Sequence, residues 1–180
     1  METAKSMTIA QAFYLLKHFT EIDSAAKSLF LANGFNEDAI SQQLQTIGSK
    51  FFNSFCQSPF DLETQLKRAK PIEQIIQSNG RIAQVYQFDQ EIGTEQVIEK
   101  EKIDLEKLID LERNGILIQA VQLQELPKTN CIVVIKSKED AWITAFPGKY
   151  APAFPSDWMN ATEKSVATVY WQNHLFITQK

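Results

Sequence analysis

The chain has 180 residues, of which 44 % are apolar and 22 % charged, and its formal net charge at pH 7 is −4. This composition is typical of a globular protein and excludes disorder along the whole length. The acidic balance argues against a nucleic-acid coat protein, because such proteins need a basic face to neutralise phosphates.

The two cysteines and two histidines are widely separated, which argues against a structural zinc site and a disulfide framework. We therefore expect no metal, no cofactor and a reducing, cytoplasmic location. No apolar run approaches the roughly 18–20 residues that cross a bilayer. The N-terminal residues also lack an apolar signal core, so we expect no membrane partner.

The first part of the chain predicts helices with recognisable start signals. Thr8 and Gln11 have the spacing of a capping box. Asn36 is suited to cap a second helix, and Ser58 followed by Pro59 predicts the start of another.

The next segments predict a change from helix to strand. Residues 72–76 indicate a short helical turn, and residues 82–88 and 92–98 are predicted to form a hairpin. Residues 99–113 combine many charges with spaced apolar residues, which predicts an amphipathic helix that stops at Asn114-Gly115.

The remaining pattern predicts an α+β fold. A helix over 161–173 begins at a capping box of Asn160 and Glu163. Strands are predicted over 116–123, 131–135, 141–146 and 175–178. We expect a helical region over residues 1–75 and a mainly antiparallel, twisted sheet with one or two packed helices over 76–180. Alternatively, residues 1–75 and 76–180 together form one continuous globular unit.

Residues 142–177 are the richest in candidate functional groups, with three of the six prolines and all three tryptophans. Strand alternation places Trp142, Thr144 and Phe146 on one face. A threonine hydroxyl at a strand end can donate to a phosphate or an oxyanion. The alternative is that Thr144 simply favours a strand.

The proline-rich loop after this strand carries a cation and several rings. Lys149 is suited to phosphate, and Tyr150 to base stacking or hydroxyl donation. The rings of Phe154, Trp158 and Trp171 add further faces for a ligand. The alternative is a hydrophobic loop that folds back on the sheet as a lid.

The histidines and carboxylates are the remaining candidates. His174 lies at a helix-to-strand junction, where it is either an acid–base catalyst or a C-terminal cap. His18 is interpreted as a partly buried or surface helix residue, with a catalytic role as the alternative. Glu91, Glu95 and Glu99 are candidate paired carboxylates, although nothing in the sequence sets their geometry.

The strand Trp142–Gly148 resembles a T-A-[YF]-P strand in small bacterial and phage ribonuclease toxins, the barnase–EndoU–colicin–RelE-like group. The segment Ser165–Ile177 resembles a motif of uncharacterised bacterial proteins. The first resemblance implies metal-independent cleavage of RNA through its 2′-hydroxyl, with Thr144 at the scissile phosphate. Phe146 stands where the group often has tyrosine, and Tyr150 is the candidate substitute.

Three functions follow as alternatives. The first is a ribonuclease-like toxin or toxin-derived domain that uses His174, Thr144 and Tyr150 on RNA. The second is a non-enzymatic immunity or adaptor protein that binds a cognate protein through its aromatic loop. The third is a small-molecule enzyme with a pocket beneath the 147–160 loop.

Overall fold

The computed structural model describes residues 6–113 and 115–179. Within them the α-helices are α1 (Ile9–Leu15), α2 (Ser24–Ala32), α3 (Glu37–Leu44), α4 (Pro59–Lys67) and α5 (Ala161–Asn173). The strands are β1 (Glu73–Ile76), β2 (Ile82–Gln87), β3 (Gly93–Thr94), β4 (Val97–Glu99), β5 (Leu108–Arg113), β6 (Ile116–Leu123), β7 (Lys128–Thr129), β8 (Cys131–Lys136), β9 (Trp142–Pro147) and β10 (His174–Gln179). The α+β prediction is confirmed.

The predicted helix starts are confirmed, because each cap satisfies a backbone N–H that has no partner inside its helix. Both capping boxes form, at Thr8 and Asn160. The side chain of Asn36 accepts from the backbone N–H of Ala39 at 2.8 Å, and Ser58 caps α4 in the same way.

The strands form two four-stranded sheets and a small ribbon. The first sheet has the order β1-β2-β8-β9, with antiparallel neighbours throughout. The second sheet has the order β4-β10-β6-β5, in which β10 and β6 are parallel and the other pairs antiparallel. Strands β3 and β7 pair with each other as an antiparallel ribbon.

The largest apolar core joins the N-terminal helices to one face of the first sheet. Helix residues such as Phe30 and Leu62 belong to the same buried cluster as Ile132 and Trp142 of strands β8 and β9. The opposite face of that sheet holds a smaller cluster around Val133. A third cluster lies on the second sheet.

The segment after α3 ties this helical part to the ribbon. Phe51 forms a β-bridge with Gly93, and the backbone N–H of Phe52 donates to the carbonyl of Ile92 at 2.9 Å. The backbone N–H of Phe51 also donates to the carbonyl of His18 at 2.7 Å. His18 is thereby held near the end of the first sheet.

The predicted helix over 99–113 is wrong. Two 3-10 turns, Lys100–Lys102 and Leu105–Lys107, are followed by β5, which pairs with β6 over six residues. Ion pairs one turn apart stabilise a helix by only about 0.2–0.5 kcal/mol each. The hydrogen bonds of β6 and the packing of Leu108 against the second core outweigh them. Asn114, at the predicted stop, lies outside the described residues.

Two neighbouring predictions are also wrong. Residues 73–76 form β1, which pairs with β2, rather than a helical turn. Residues 92–98 do not form a hairpin with β2, because they divide into β3 and β4, which pair with different strands. Short apolar runs cannot reveal their partners, since the partners lie far away in sequence.

A register shift in β9 overturns the predicted shared face of Trp142 and Thr144. Thr144 pairs with Ile135, but Trp142 pairs with the next residue, Lys136, so the intervening Ile143 is extra. One extra residue reverses the alternation. Trp142 consequently lies in the core beneath the helices, whereas Phe146 packs on the opposite face.

Candidate functional site

A cavity of about 1000 Å³ lies where the proline-rich loop, the ribbon and the C-terminal end of α5 meet. Its walls come from separate parts of the chain, namely His18, Ser49, residues 89–91, residues 95–99, Lys102, residues 127–130, residues 146–149, residues 151–154, Ser156, Trp158, Tyr170, Trp171, His174 and Phe176. A cavity this size accommodates an organic molecule, because ligand sites commonly span about 300–1,000 Å³.

One wall of the cavity is aromatic. The rings of Phe154 and Trp171 lie 4.4 Å apart, and Tyr170 meets Trp171 edge-on at 5.0 Å. The indole N–H of Trp171 donates to the carbonyl of Pro152 at 3.1 Å. This bond fastens the proline-rich loop to α5, so the loop forms one side of the cavity.

His174 stands at the junction of α5 and β10, as the sequence predicts. Its Nδ1 lies 2.9 Å from the carbonyl oxygen of Tyr170, and its ring stacks on that tyrosine at 3.8 Å. A carbonyl only accepts, so Nδ1 carries the hydrogen and a neutral ring keeps a lone pair on Nε2. The hydrogen bond to Tyr170 caps the C-terminal end of α5 and also fixes which ring nitrogen of His174 carries the hydrogen. A capping role and an acid–base role of His174 are therefore compatible.

His18 lines the same cavity, although it lies at the far end of the chain. Its Nδ1 is 3.0 Å from the carbonyl oxygen of Ser49. Burial lowers its pKa from 6.5 to about 4, and the charges of Lys17 and Lys50 add to this against the opposing bond to Ser49. The imidazole of His18 is therefore neutral at physiological pH.

Glu95 is a partly buried acid on the cavity wall. Burial raises the pKa of its carboxyl, against the opposing effects of Lys149, Lys102 and the Thr129 hydroxyl. A Cβ placed on Gly148 would lie 3.4 Å from the Cβ of Glu95, so the loop backbone packs directly on this side chain. A carboxyl with a raised pKa in a cavity is a candidate for proton transfer or ligand contact.

Tyr170 completes this polar side. Burial and the nearby charges of Glu95 and Glu99 raise its pKa to about 12. Its hydroxyl therefore stays protonated and can donate a hydrogen bond to a ligand.

Five of the seven predicted site residues line this one cavity: His174, Lys149, Phe154, Trp158 and Trp171. The other two do not belong to the described lining. Tyr150 packs against the small cluster on the outer face of the first sheet, and Thr144 lies within β9.

The sequence suggests no role for Tyr170, and for His18 it offers a catalytic role only as the less favoured alternative. No local pattern predicts that His18 lines this cavity, because it is held there through Phe51, whose backbone bonds to His18 and bridges to Gly93 of the ribbon. Glu91, Glu95 and Glu99 were suspected as a set, and all three line the cavity. Their four-residue spacing does not arise from a helix, because β4 begins at Val97.

A second cavity of about 670 Å³ lies beside the first, and His174 and Glu99 line both. The described residues contain no group of three or more histidine, cysteine or acidic side chains able to hold a metal ion. The helices in the described ranges are all too short or too polar to cross a membrane.

The fold and this site together define an α+β protein with an aromatic cavity roofed by a proline-rich loop. No protein-family model, curated protein or solved structure matches the chain.

Proposed function

We propose that this protein binds a small organic molecule in the cavity beneath the 147–160 loop. The observation that carries the proposal is the cavity of about 1000 Å³, which combines an aromatic wall with a few convergent polar groups. Apolar lining supplies affinity, and a few polar groups orient a ligand. Here the polar groups are Glu95, Tyr170 and His174.

The lining favours a ligand with a flat apolar part. Phe154, Trp171 and Phe176 form a continuous set of rings, with Phe154 within 6.5 Å of both others. Aromatic side chains bind apolar groups with a large contact area and little loss of conformational freedom. Catalysis is a further step that His174 and Glu95 would support.

We expect aromatic fragments to shift the indole N–H signal of Trp171 in a nitrogen-15 correlation spectrum and to leave that of Trp142 unchanged. Trp171 lines the cavity, whereas Trp142 lies in the core. Phe154→Ala should weaken such fragments about tenfold, because a ring contact is lost. Tyr14→Ala is the matched control, since Tyr14 is an exposed ring outside the cavity.

Two results would contradict the proposal. One is a diverse aromatic fragment set that leaves Trp171 unmoved. The other is equal weakening by Phe154→Ala and Tyr14→Ala, which would indicate a general effect on the fold.

RNA cleavage is a second proposal, supported by the presence of His174 and Lys149 on one cavity. A histidine and a cation are the groups that metal-independent phosphodiester cleavage uses. Thr144 and Tyr150 would have to act from outside the described lining, which weighs against the original assignment. The partly buried charges of the cavity are acidic, which also disfavours phosphate.

If this second proposal holds, the wild type will cleave single-stranded RNA in EDTA, and His174→Ala will lower the rate by about 10²–10⁴. His18→Gln serves as a comparison, because the partly buried His18 is not assigned to the reaction. Cleavage that survives in His174→Ala, or a folded wild type without cleavage, would contradict it.

An immunity or adaptor role, with the 40 % exposed Trp158 at its contact surface, stays a prediction.

A further inference from the structure

The charged groups of the cavity are segregated by depth. Its lysines, Lys102, Lys128 and Lys149, are all exposed at the rim. Glu95 is partly buried, whereas the side chain of Glu99 is 44 % exposed. The more enclosed charge of the lining is therefore acidic, although the rim carries both signs.

The rim cations are largely engaged by other acids. Lys128 lies 4.0 Å from Glu91, and Lys102 lies 3.8 Å from Glu99. Exposed pairs of this kind are weak and screened. Among the ion pairs of the described residues, none includes Glu95 within 4.0 Å.

The groups that face Glu95 leave its charge incompletely balanced. Lys149 acts on it through its charge and its backbone N–H, while Lys102 and the Thr129 hydroxyl act more weakly. Tyr170 and Cys131 also lie within its electrostatic reach. Burial outweighs the favourable contacts and raises the pKa of Glu95. A cation brought into the cavity would restore the balance.

The aromatic wall of the cavity also favours a cation. The faces of tyrosine and tryptophan rings attract cations, and the effect is strongest where water is excluded. Tyr170 and Trp171 lie side by side on the wall, the His174 ring covers one face of Tyr170, and the charge of Glu95 acts on Tyr170. Aromatic rings, together with a carboxylate that forms no ion pair within 4.0 Å in the described part of the chain, are the two elements that recognise an ammonium group.

We propose that the ligand of this cavity is an organic cation, an amine or ammonium group on an apolar or aromatic body, with Glu95 as its counter-ion. The inference rests on the proposed binding function and adds the charge of the ligand. Its test must therefore separate charge preference from binding itself.

Three probes with one body achieve this separation: 3-phenylpropylamine, 3-phenylpropan-1-ol and 3-phenylpropionate. Their dissociation constants would be measured at neutral pH and low salt from the Trp171 indole signal. We expect the amine to bind at least about tenfold more tightly than the alcohol, and the carboxylate to bind most weakly.

Glu95→Gln preserves the shape of the side chain and removes its charge. It should weaken the amine about tenfold and change the alcohol less than about twofold. Glu37→Gln is the matched control, because the side chain of Glu37 is 69 % exposed, pairs with Lys27 and is not part of the cavity lining. That control should leave the amine within about twofold of the wild type.

The pH dependence gives a second readout. Protonation of Glu95 removes the counter-charge, so amine affinity should fall as the pH drops through a pKa above the ordinary value of 4.5. Glu99 and His174 also line the cavity. Glu95 is responsible only if Glu95→Gln makes the amine affinity flat over that range.

The outcomes are distinct. Equal affinity for the three probes overturns the charge preference and leaves the proposed function standing. Tightest binding of the carboxylate overturns it in favour of an anion site at Lys149. A Trp171 signal that none of the three moves overturns both proposals.

Discussion

Gly93→Ala is expected to destabilise the protein by about 3 kcal/mol, at the upper end of the usual range for overpacking. A Cβ at this position would lie 2.4 Å from the carbonyl oxygen of Lys50 and 3.1 Å from the Cα of Phe51. Both are backbone atoms that a rotamer change cannot move. The bridge between Phe51 and Gly93 would have to open, and with it the link between the helices and the ribbon.

Urea unfolding followed by tryptophan fluorescence measures this loss. Gly34→Ala is the matched control, because a Cβ there meets nothing within 4 Å, although the φ of +91° makes alanine strained. We expect that control to lose about 1 kcal/mol. Equal losses in the two variants would show that the ribbon is not tightly held against the Lys50–Phe52 segment.

His18 is expected to make the protein less stable in acid, by about 3 kcal/mol between pH 6.5 and pH 4. The pKa of its imidazole is lowered from 6.5 to about 4 in the folded protein, mainly by burial. The unfolded chain therefore gains a proton near pH 6.5 that the folded protein does not accept until about pH 4. The stability contribution is complete above pH 6.5 and is lost as the pH falls through this window.

The free energy of unfolding of wild type and His18→Gln should therefore be measured across that window. Glutamine retains a donor that can reach the Ser49 carbonyl and does not titrate. The variant should have a shallower acid dependence, since the other groups titrate in both proteins. Parallel wild-type and His18→Gln curves would show that His18 is not buried as described.

Helix starts and buried strands could be predicted from the sequence because their causes are local. The Asn160 and Glu163 side chains bond to backbone groups three residues away, and α5 accordingly begins at Ala161. The continuous apolar run of β8 predicts a buried strand whichever strands it pairs with, and Cys131 at its start is buried.

The sequence does not predict which strands pair with each other, and the wrong secondary-structure predictions result from this. The charges of residues 99–113 favour a helix in isolation, but β6 offers six residues of pairing that only the folded chain presents. The alternation of apolar residues in β9 likewise does not reveal that one residue is extra, so the predicted face of Trp142 is wrong.

By itself the sequence determined the α+β class, the helix caps and the stretch that supplies about half of the cavity lining. Short-range hydrogen bonds and side-chain periodicity suffice for these features. Only the tertiary structure decided that His18 and His174 share a cavity with Glu95, and that Thr144 and Tyr150 are not part of its described lining. The physical reason is that strand pairing and core packing act between residues far apart in the chain, and these contacts determine which side chains become neighbours.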